Sequence, residues 1–195
     1  MFVQVIQGRV TDPEHHRRQQ ERWIDELKPG ATGYLGGTWG MTPDGRGVTI
    51  ARFESADAAR ANSDRPDQGA WWADTEKAFE DVQFQESEDV DELLGGGSDA
   101  AGFVQVIQGR VKDESAAREV FADADDRLAE MRPDILGGLM AWHGGGAFTQ
   151  VMYFRTEDEA RTGERSGSDD ELDQQYREMM DGEPTFLDLA DPQFD

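Results

Sequence analysis

Apolar residues follow the same strand pattern at two places in the chain. Residues 2 to 10 and residues 103 to 111 are both Phe-Val-Gln-Val-Ile-Gln-Gly-Arg-Val, so the pattern repeats from position 2 to position 103, an offset of 101. In an extended strand, Phe2 and Ile6 lie on one face, and Val3 and Val5 lie on the other. A strand that is apolar on both faces is typical of the centre of a covered sheet. The pattern therefore predicts two copies of one sheet-forming unit.

The first copy has the order strand, helix, strand, strand, helix, strand. Asp12 followed by Pro13 predicts a helix start, and apolar residues spaced by three and four continue this helix to about Leu27. Pro66 breaks the second helical region, because proline disfavours helical geometry in the residue before it. The predicted strands lie at 2–8, 34–41, 48–53 and 82–86. This order is the ferredoxin-like, or split βαβ, plan.

The glycine-rich segment 94–101 predicts a flexible linker between the copies. We therefore expect a first ferredoxin-like repeat at 1–93 and a second at 102–195, each large enough to bury its own core. A sheet with helices on one face leaves its other face bare. The predicted fold class is α+β, with two tandem ferredoxin-like (βαββαβ) repeats whose antiparallel sheets face each other as an intramolecular dimeric α/β barrel. In this arrangement the chain is a monomer that acts as a pseudo-dimer.

One exchange of side chains between the copies supports the facing sheets. Trp39 aligns with Met140 at the repeat offset, and Met41 aligns with Trp142. Such an exchange of a large and a flexible side chain keeps the total volume nearly constant, which a shared core tolerates best.

The chain is strongly acidic, with 42 Asp and Glu against 19 Lys and Arg and a net charge of -23. This surface repels nucleic acid phosphates and anionic lipid headgroups, so we expect neither nucleic acid nor membrane as a partner. The absence of cysteine excludes disulfides, thiolate catalysis, iron–sulfur clusters and cysteine zinc sites. Met1 leads directly into a strand pattern, and no apolar run reaches the ~20 residues that span a bilayer. These features favour a cytoplasmic protein.

A local motif in the first copy resembles a known family. Residues 53 to 62, Phe-Glu-Ser-Ala-Asp-Ala-Ala-Arg-Ala-Asn, are similar to the junction of strand and helix in antibiotic-biosynthesis-monooxygenase-like proteins, and residues 64 to 72 are similar to their next helix. The resemblance implies a dimeric α/β barrel. Relatives include cofactor-free oxygenases, heme-degrading enzymes, isomerases, decarboxylase-like proteins and members with no known activity. It therefore implies a fold and does not by itself imply a reaction.

The chain departs from the family pattern at several places. Asn62 stands where many relatives have histidine, and Gly163 stands at the matching position of the second copy, within a segment at 162–168 that looks like a loop. Heme-degrading members use an asparagine on the first strand, where this chain has glutamine, and no helical histidine can be matched to theirs. We therefore expect no heme, no metal and no other cofactor.

Four residues of the first copy form one candidate substrate site. Asn62 and Arg65 flank the predicted helix break, which can open a mouth between helix and sheet. Trp72 fits the core stripe of the helix, and Trp71, about 100° away around the axis, is free to line a pocket. In this hypothesis Asn62 is catalytic and holds a phenolate or peroxide, while Trp39, Arg65 and Trp71 bind the substrate. The alternatives are that Asn62 only caps the helix end and that Trp71 only packs in the core.

A second candidate site lies at a strand end in the second copy. Trp142 would bind substrate, and His143 would be a catalytic general base, because a histidine pKa lies near neutrality. The alternative is an exposed histidine at a hairpin tip. His15 and His16 are adjacent in a helix and cannot easily share a ligand, so we predict no metal site.

These features favour a small-molecule-binding protein that acts as a cofactor-independent monooxygenase on an aromatic or polycyclic substrate. One alternative is a non-catalytic ligand-binding or stress-response module of the same fold. Another is a protein without an open cavity that acts through its acidic surface. An enzyme needs an enclosed pocket with converging polar groups, whereas a binding module needs only the pocket.

Overall fold

The computed structural model describes residues 1–122, 128–130, 132–166 and 170–195. It divides into two compact units: unit 1 comprises Met1–Asp89 and Gln193–Asp195, and unit 2 comprises Val90–Pro192. Each unit contains an antiparallel five-stranded sheet with helices. The predicted α+β class with two ferredoxin-like repeats is therefore confirmed, while the facing of the two sheets stays a prediction.

Unit 1 follows the predicted element order. Its elements are β1 (Phe2–Val10), α1 (Pro13–Arg22), β2 (Tyr34–Met41), β3 (Arg46–Phe53), α2 (Ala56–Ser63), α3 (Pro66–Thr75) and β4 (Phe79–Ser87). Asp12 caps α1 by accepting a hydrogen bond from the backbone N–H of His15, and Ser55 caps α2 through Ala58. One turn of π-helix at Trp23–Leu27 continues α1 toward the sheet.

The repeated strand is central in the sheet of unit 1. The strand order is β10-β2-β3-β1-β4, in which β10 is the short strand Gln193–Phe194. Val3 and Val5 on one face are 1 % and 0 % exposed, and Phe2 on the other face is 6 % exposed. Both faces of β1 are therefore buried, as its apolar pattern predicts.

Unit 2 repeats the plan. Its elements are β5 (Val90–Leu93), β6 (Phe103–Arg110), α4 (Glu114–Ala122), β7 (Ile135–Gly144), β8 (Ala147–Phe154), α5 (Glu157–Ser166), α6 (Asp170–Met179) and β9 (Thr185–Leu189). The strand order is β5-β7-β8-β6-β9, so β6 takes the place of β1. Val10 pairs with Phe79 in unit 1, and Val111 pairs with Met180 in unit 2, so the repeat offset holds through both units.

Each sheet gains an edge strand that the sequence pattern does not predict. β5 follows β4 in the chain but pairs with β7, and β10 pairs with β2. By its contacts, unit 1 therefore ends at Asp89 and not at residue 93, and residues 193 to 195 belong to it. Glycines on β2 and β7 permit this close approach: a Cβ at Gly137 would collide with the backbone of Gly96, and a Cβ at Gly37 would lie 2.8 Å from Oδ1 of Asp195.

Residues 162 to 166 are helical, so the prediction of a loop at this place is wrong. They form the second half of α5, which contains Gly163. A Cβ on Gly163 would lie 2.6 Å from Nε of Arg132 and 2.6 Å from Oδ2 of Asp134. The glycine is explained by close packing, and not by a bend of the chain. Residues 167 and 168 of the predicted loop lie outside the described residues.

Candidate functional site

A cavity lies between the helices and the sheet of unit 1. Its walls are mainly aromatic rings, from Trp23, Tyr34, Phe53, Trp71, Trp72 and Phe79. Polar side chains interrupt the walls at a few places: Gln4, Gln20, Thr49, Asn62, Gln68 and Thr75. The cavity volume is about 60 Å³, and the space is about 560 Å³ when the open mouth is included. Apolar walls with a few polar groups are the usual form of a small-molecule site.

The break between α2 and α3 brings two amide side chains to this cavity. Arg65 has an extended backbone, with φ -66 and ψ 131, because Pro66 follows it. The chain turns here, so Asn62 at the end of α2 and Gln68 in the first turn of α3 both line the cavity. Ala51 of β3 provides a small side chain on the opposite wall and leaves room between helix and sheet.

Arg65 fixes the direction of the Asn62 amide. Nη1 of Arg65 donates to Oδ1 of Asn62 at 3.0 Å and to the carbonyl oxygen of Leu27 at 3.1 Å. A guanidinium has donors only, so the oxygen of Asn62 must face it. The Nδ2 group of Asn62 is then left as a donor in the cavity wall, and no described residue accepts a hydrogen bond from it. Asn62 as a whole residue is 6 % exposed, so protein covers most of its surface.

Arg65 itself lies behind Asn62 and does not line the cavity. Its Nε and Nη2 donate to the two carboxylate oxygens of Asp67, at 3.2 and 2.7 Å. These bonds lower the pKa of Asp67. With its donors used on Asp67, Asn62 and Leu27, Arg65 is placed to orient Asn62 and not to contact a molecule in the cavity.

Two glutamines add polar groups that the sequence analysis missed. Oε1 of Gln68 is buried and accepts no hydrogen bond from any described residue. Nε2 of Gln20 lies 3.3 Å from Nε2 of His16, which is 3 % exposed. Burial, with a smaller contribution from His15, lowers the pKa of His16 to about 4. The imidazole is therefore neutral at pH 7 and can accept a hydrogen bond from Gln20.

One carboxylate holds two rings of the cavity wall. The indole Nε1 of Trp23 donates to Oδ2 of Asp195 at 2.9 Å, and the hydroxyl of Tyr34 donates to Oδ1 at 2.7 Å. Burial raises the pKa of Tyr34 far above its usual value, and the charge of Asp195 adds to this effect. The phenol therefore stays protonated and acts as a donor to Asp195.

Of the two adjacent tryptophans, Trp71 is the more buried and Trp72 the less buried, which is the reverse of the prediction. Trp71 is 7 % exposed, donates from Nε1 to the carbonyl oxygen of Gln19 at 2.9 Å, and lies 5.5 Å from Trp23 between ring centroids. Trp72 is only partly buried and packs edge-on against Phe84. Both rings line the cavity, so the expectation that Trp72 is the buried member of the pair is wrong.

The structure brings two of the four predicted residues of the first copy together. Asn62 and Trp71 both line the cavity, whereas Arg65 and Trp39 do not. Trp39 lies 6.3 Å from His16 between ring centroids, and its buried Nε1 has no hydrogen-bond partner among the described residues. Trp39 thus belongs to the packing around His16.

Trp142 and His143 of the second candidate site contact different residues of β8. Trp142 is 2 % exposed and packs on Phe148, and its Nε1 donates to Asp91 at 2.9 Å. His143 is partly buried, and its Nε2 lies 2.9 Å from Oγ1 of Thr149. Because adjacent strand residues point to opposite faces, these two side chains do not converge on one site.

Unit 2 differs from unit 1 at two positions that match residues lining the cavity. At the repeat offset, Ala51 corresponds to Met152, which is 5 % exposed, and Asn62 corresponds to Gly163. Unit 2 therefore has neither the small wall residue nor the amide that define the cavity of unit 1.

Comparison with known proteins identifies the fold. No protein-family model and no curated protein matches the chain. A proposed monooxygenase from Fusobacterium nucleatum has 12 % identity and a TM-score of 0.75, covering 100 % of this chain and 93 % of that one. An anthrone oxidase-like protein has 10 % identity and a TM-score of 0.71, covering 100 % and 92 %. A ferredoxin-fold protein related to antibiotic biosynthesis monooxygenases, from Listeria monocytogenes, has 10 % identity and a TM-score of 0.51, covering 96 % and 92 %.

This chain has the fold of the antibiotic-biosynthesis-monooxygenase-like proteins. Coverage of nearly the whole chain in each comparison means that both repeats share the likeness. At this level of identity the likeness establishes the antibiotic-biosynthesis-monooxygenase-like fold alone, because one fold hosts many activities.

Three further observations concern metal ligands, membrane spans and histidines in the described part of the chain. Within it, no group of three or more His, Cys, Asp or Glu is arranged to hold a metal ion. None of its helices is long and apolar enough to cross a bilayer. No described histidine lines the cavity of unit 1.

Proposed function

We propose that unit 1 binds a small planar aromatic molecule that carries oxygen atoms at its edge. The observation that supports this proposal is a cavity with aromatic walls into which two amides present unused polar atoms. Rings that pack on other rings gain about 0.5–1.5 kcal/mol beyond the burial of their area, which favours an aromatic ligand over an aliphatic one.

The polar atoms define the chemistry of the ligand's edge. Nδ2 of Asn62 is a donor and matches a carbonyl or phenolate oxygen, whereas Oε1 of Gln68 is an acceptor and matches a hydroxyl. A ligand that left these two atoms unpaired would forgo a net gain of about 0.5–1.5 kcal/mol for each hydrogen bond. We therefore propose a phenol or aromatic ketone as the ligand class. The chain would bind it as a monomer that acts as a pseudo-dimer.

Ala51→Met tests the cavity directly, because it places in unit 1 the residue that unit 2 has at the matching position. Overpacking by a methionine costs about 1–3 kcal/mol, so we expect the Kd of 1-naphthol, measured by calorimetry, to rise at least about tenfold. The matched control is Ala70→Met, which makes the same change on the exposed side of α3. Tight binding in Ala51→Met with the fold intact would place the ligand elsewhere.

A second proposal is that the bound molecule is oxidised by dioxygen without a cofactor. It is supported by the donor of Asn62 and by the likeness to an anthrone oxidase-like protein. An aromatic ketone with an activated CH₂ group would lose a proton to water at the open mouth, and Asn62 would stabilise the enolate oxygen that results. Dioxygen then attacks the carbon: one oxygen atom becomes a new carbonyl, and the other leaves as water with the two hydrogens of the CH₂ group.

Anthrone under ¹⁸O₂ tests this reaction. We expect one labelled oxygen in the anthraquinone product, and a rate that falls about tenfold in Asn62→Asp, since the variant keeps the bond to Arg65 but offers the enolate an acceptor. Gln85→Glu on β4 is the control for added charge, because it makes the same change from amide to carboxylate at a residue that does not line the cavity. Binding without oxidation would leave unit 1 as a ligand-binding module.

A further inference from the structure

We propose that Asp195 is a positioning residue of the cavity, which holds the rings of Trp23 and Tyr34 in the orientation that receives the ligand. This inference rests on the proposed binding function. The carboxylate accepts one hydrogen bond from each ring, at 2.9 and 2.7 Å. Both rings line the cavity, and their centroids are 5.6 Å apart in an edge-on arrangement. A single side chain thus sets two neighbouring walls.

The equivalent place in unit 2 is apolar. Asp195 lies against Gly37 of β2, and Gly37 matches Gly138 of β7 at the repeat offset. Leu93 of β5 pairs with Gly138, so Leu93 is the counterpart of Asp195. Leu93 is 4 % exposed and packs in a cluster with Ile135, the counterpart of Tyr34. Unit 2, which has Met152 in place of Ala51, therefore has leucine and isoleucine where unit 1 has Asp195 and Tyr34.

Stability of the edge strand does not explain a carboxylate at position 195. A carboxylate that is partly withdrawn from water, as that of Asp195 is, needs hydrogen bonds to replace the solvation that it loses. Asp195 is only partly buried, so a leucine in its place would give up little and would add apolar burial at this edge, as Leu93 does in unit 2. What Asp195 provides and Leu93 does not is a pair of directed hydrogen bonds, and both end on rings of the cavity.

Asp195→Leu tests the inference with two independent measurements. We expect the Kd of 1-naphthol to rise about tenfold, as for the loss of hydrogen bonds to a charged group. We also expect the ¹H–¹⁵N resonance of the Trp71 indole to shift in the absence of ligand, because Trp71 makes no bond to Asp195 but its ring lies 5.5 Å from that of Trp23 and senses its orientation. The denaturant midpoint of unit 1 should stay close to that of wild type. Asp195→Asn keeps the size and one acceptor and should give an intermediate Kd.

Gln193→Ala on the same strand is the control, because it leaves Asp195 in place; its Kd should stay within about twofold of wild type. An unchanged Trp71 resonance in Asp195→Leu would overturn the positioning role. So would a Kd that rises only in proportion to a lowered midpoint, because that result marks a purely structural residue. If 1-naphthol binds to neither wild type nor variant, the proposed function fails for this probe, and the Trp71 resonance still decides whether Asp195 positions the wall.

Discussion

Replacing Trp71 with alanine lowers the free energy of unfolding of unit 1 by about 3–5 kcal/mol, the usual cost of removing a buried tryptophan. The ring is 7 % exposed and packs between Trp23 and Trp72, with centroids 5.5 and 6.0 Å away. Truncation also leaves the carbonyl oxygen of Gln19 without the indole donor at 2.9 Å. The adjacent cavity already contains open space, so neighbouring side chains cannot easily fill the volume that the indole leaves, and the cost of the substitution stays high.

Denaturant unfolding followed by tryptophan fluorescence measures this effect. Four of the five tryptophans, Trp23, Trp39, Trp71 and Trp72, belong to unit 1, so the signal reports mainly on that unit. Trp71→Phe keeps a ring but loses the N–H donor and should fall between wild type and Trp71→Ala. Trp72→Ala removes a similar area from a less buried place and should cost less. A Trp71→Ala variant within about 1 kcal/mol of wild type would contradict the assignment of Trp71 to the core.

The scaffold could be predicted from the sequence because its signals are local and repeated. An apolar pattern on both faces of one nonapeptide, found twice, identified β1 and β6 as central strands. Asp12-Pro13 and Ser55 marked the helix starts through their own side chains. Each of these signals depends on neighbours in sequence, so no knowledge of the tertiary structure was needed.

The edge strands and the wall of the cavity could not be predicted in that way. β5 and β10 are short, and their partners lie far away in sequence, so periodicity carries no signal for them. The Gly-Gly pairs on β2 and β7 are a sequence signal for an added edge strand, since glycine within a strand often marks the close approach of another backbone. Asp195 can be connected to Tyr34 only when that pairing is known.

Asn62 and Arg65 show which part of the site a motif can reveal. The helix break before Pro66 placed both residues near a mouth, but sequence spacing did not distinguish the residue that faces the cavity from the one that supports it. The donor-only chemistry of arginine decides this question once the 3.0 Å contact is known. From the sequence, His16 is considered only as a metal ligand, and its contact with Gln20, four residues later, becomes evident only in the structure.

Lowering the pH from 6.5 to about 4 removes about 3 kcal/mol of the stability of unit 1 through His16 alone. Burial among Gln20, Trp39 and Phe79 holds its pKa at about 4 in the folded state, against 6.5 for an exposed histidine. Above pH 6.5 both states are neutral, and the stability is fully present. Between the two values the unfolded chain takes up a proton that the folded chain excludes, so stability falls as the pH falls.

His16→Gln isolates this contribution, because the many carboxylates that titrate over the same range are present in wild type and variant alike. The free energy of unfolding is measured by urea titration at pH 7 and at pH 4, and wild type should lose about 3 kcal/mol more than the variant over this interval. Glutamine can still accept a hydrogen bond from Gln20, so the comparison at pH 7 reports mainly on packing. His15→Gln should retain most of the loss, since burial contributes more than His15 to the lowered pKa of His16. Equal losses in wild type and His16→Gln would mean that His16 takes up its proton in the folded state.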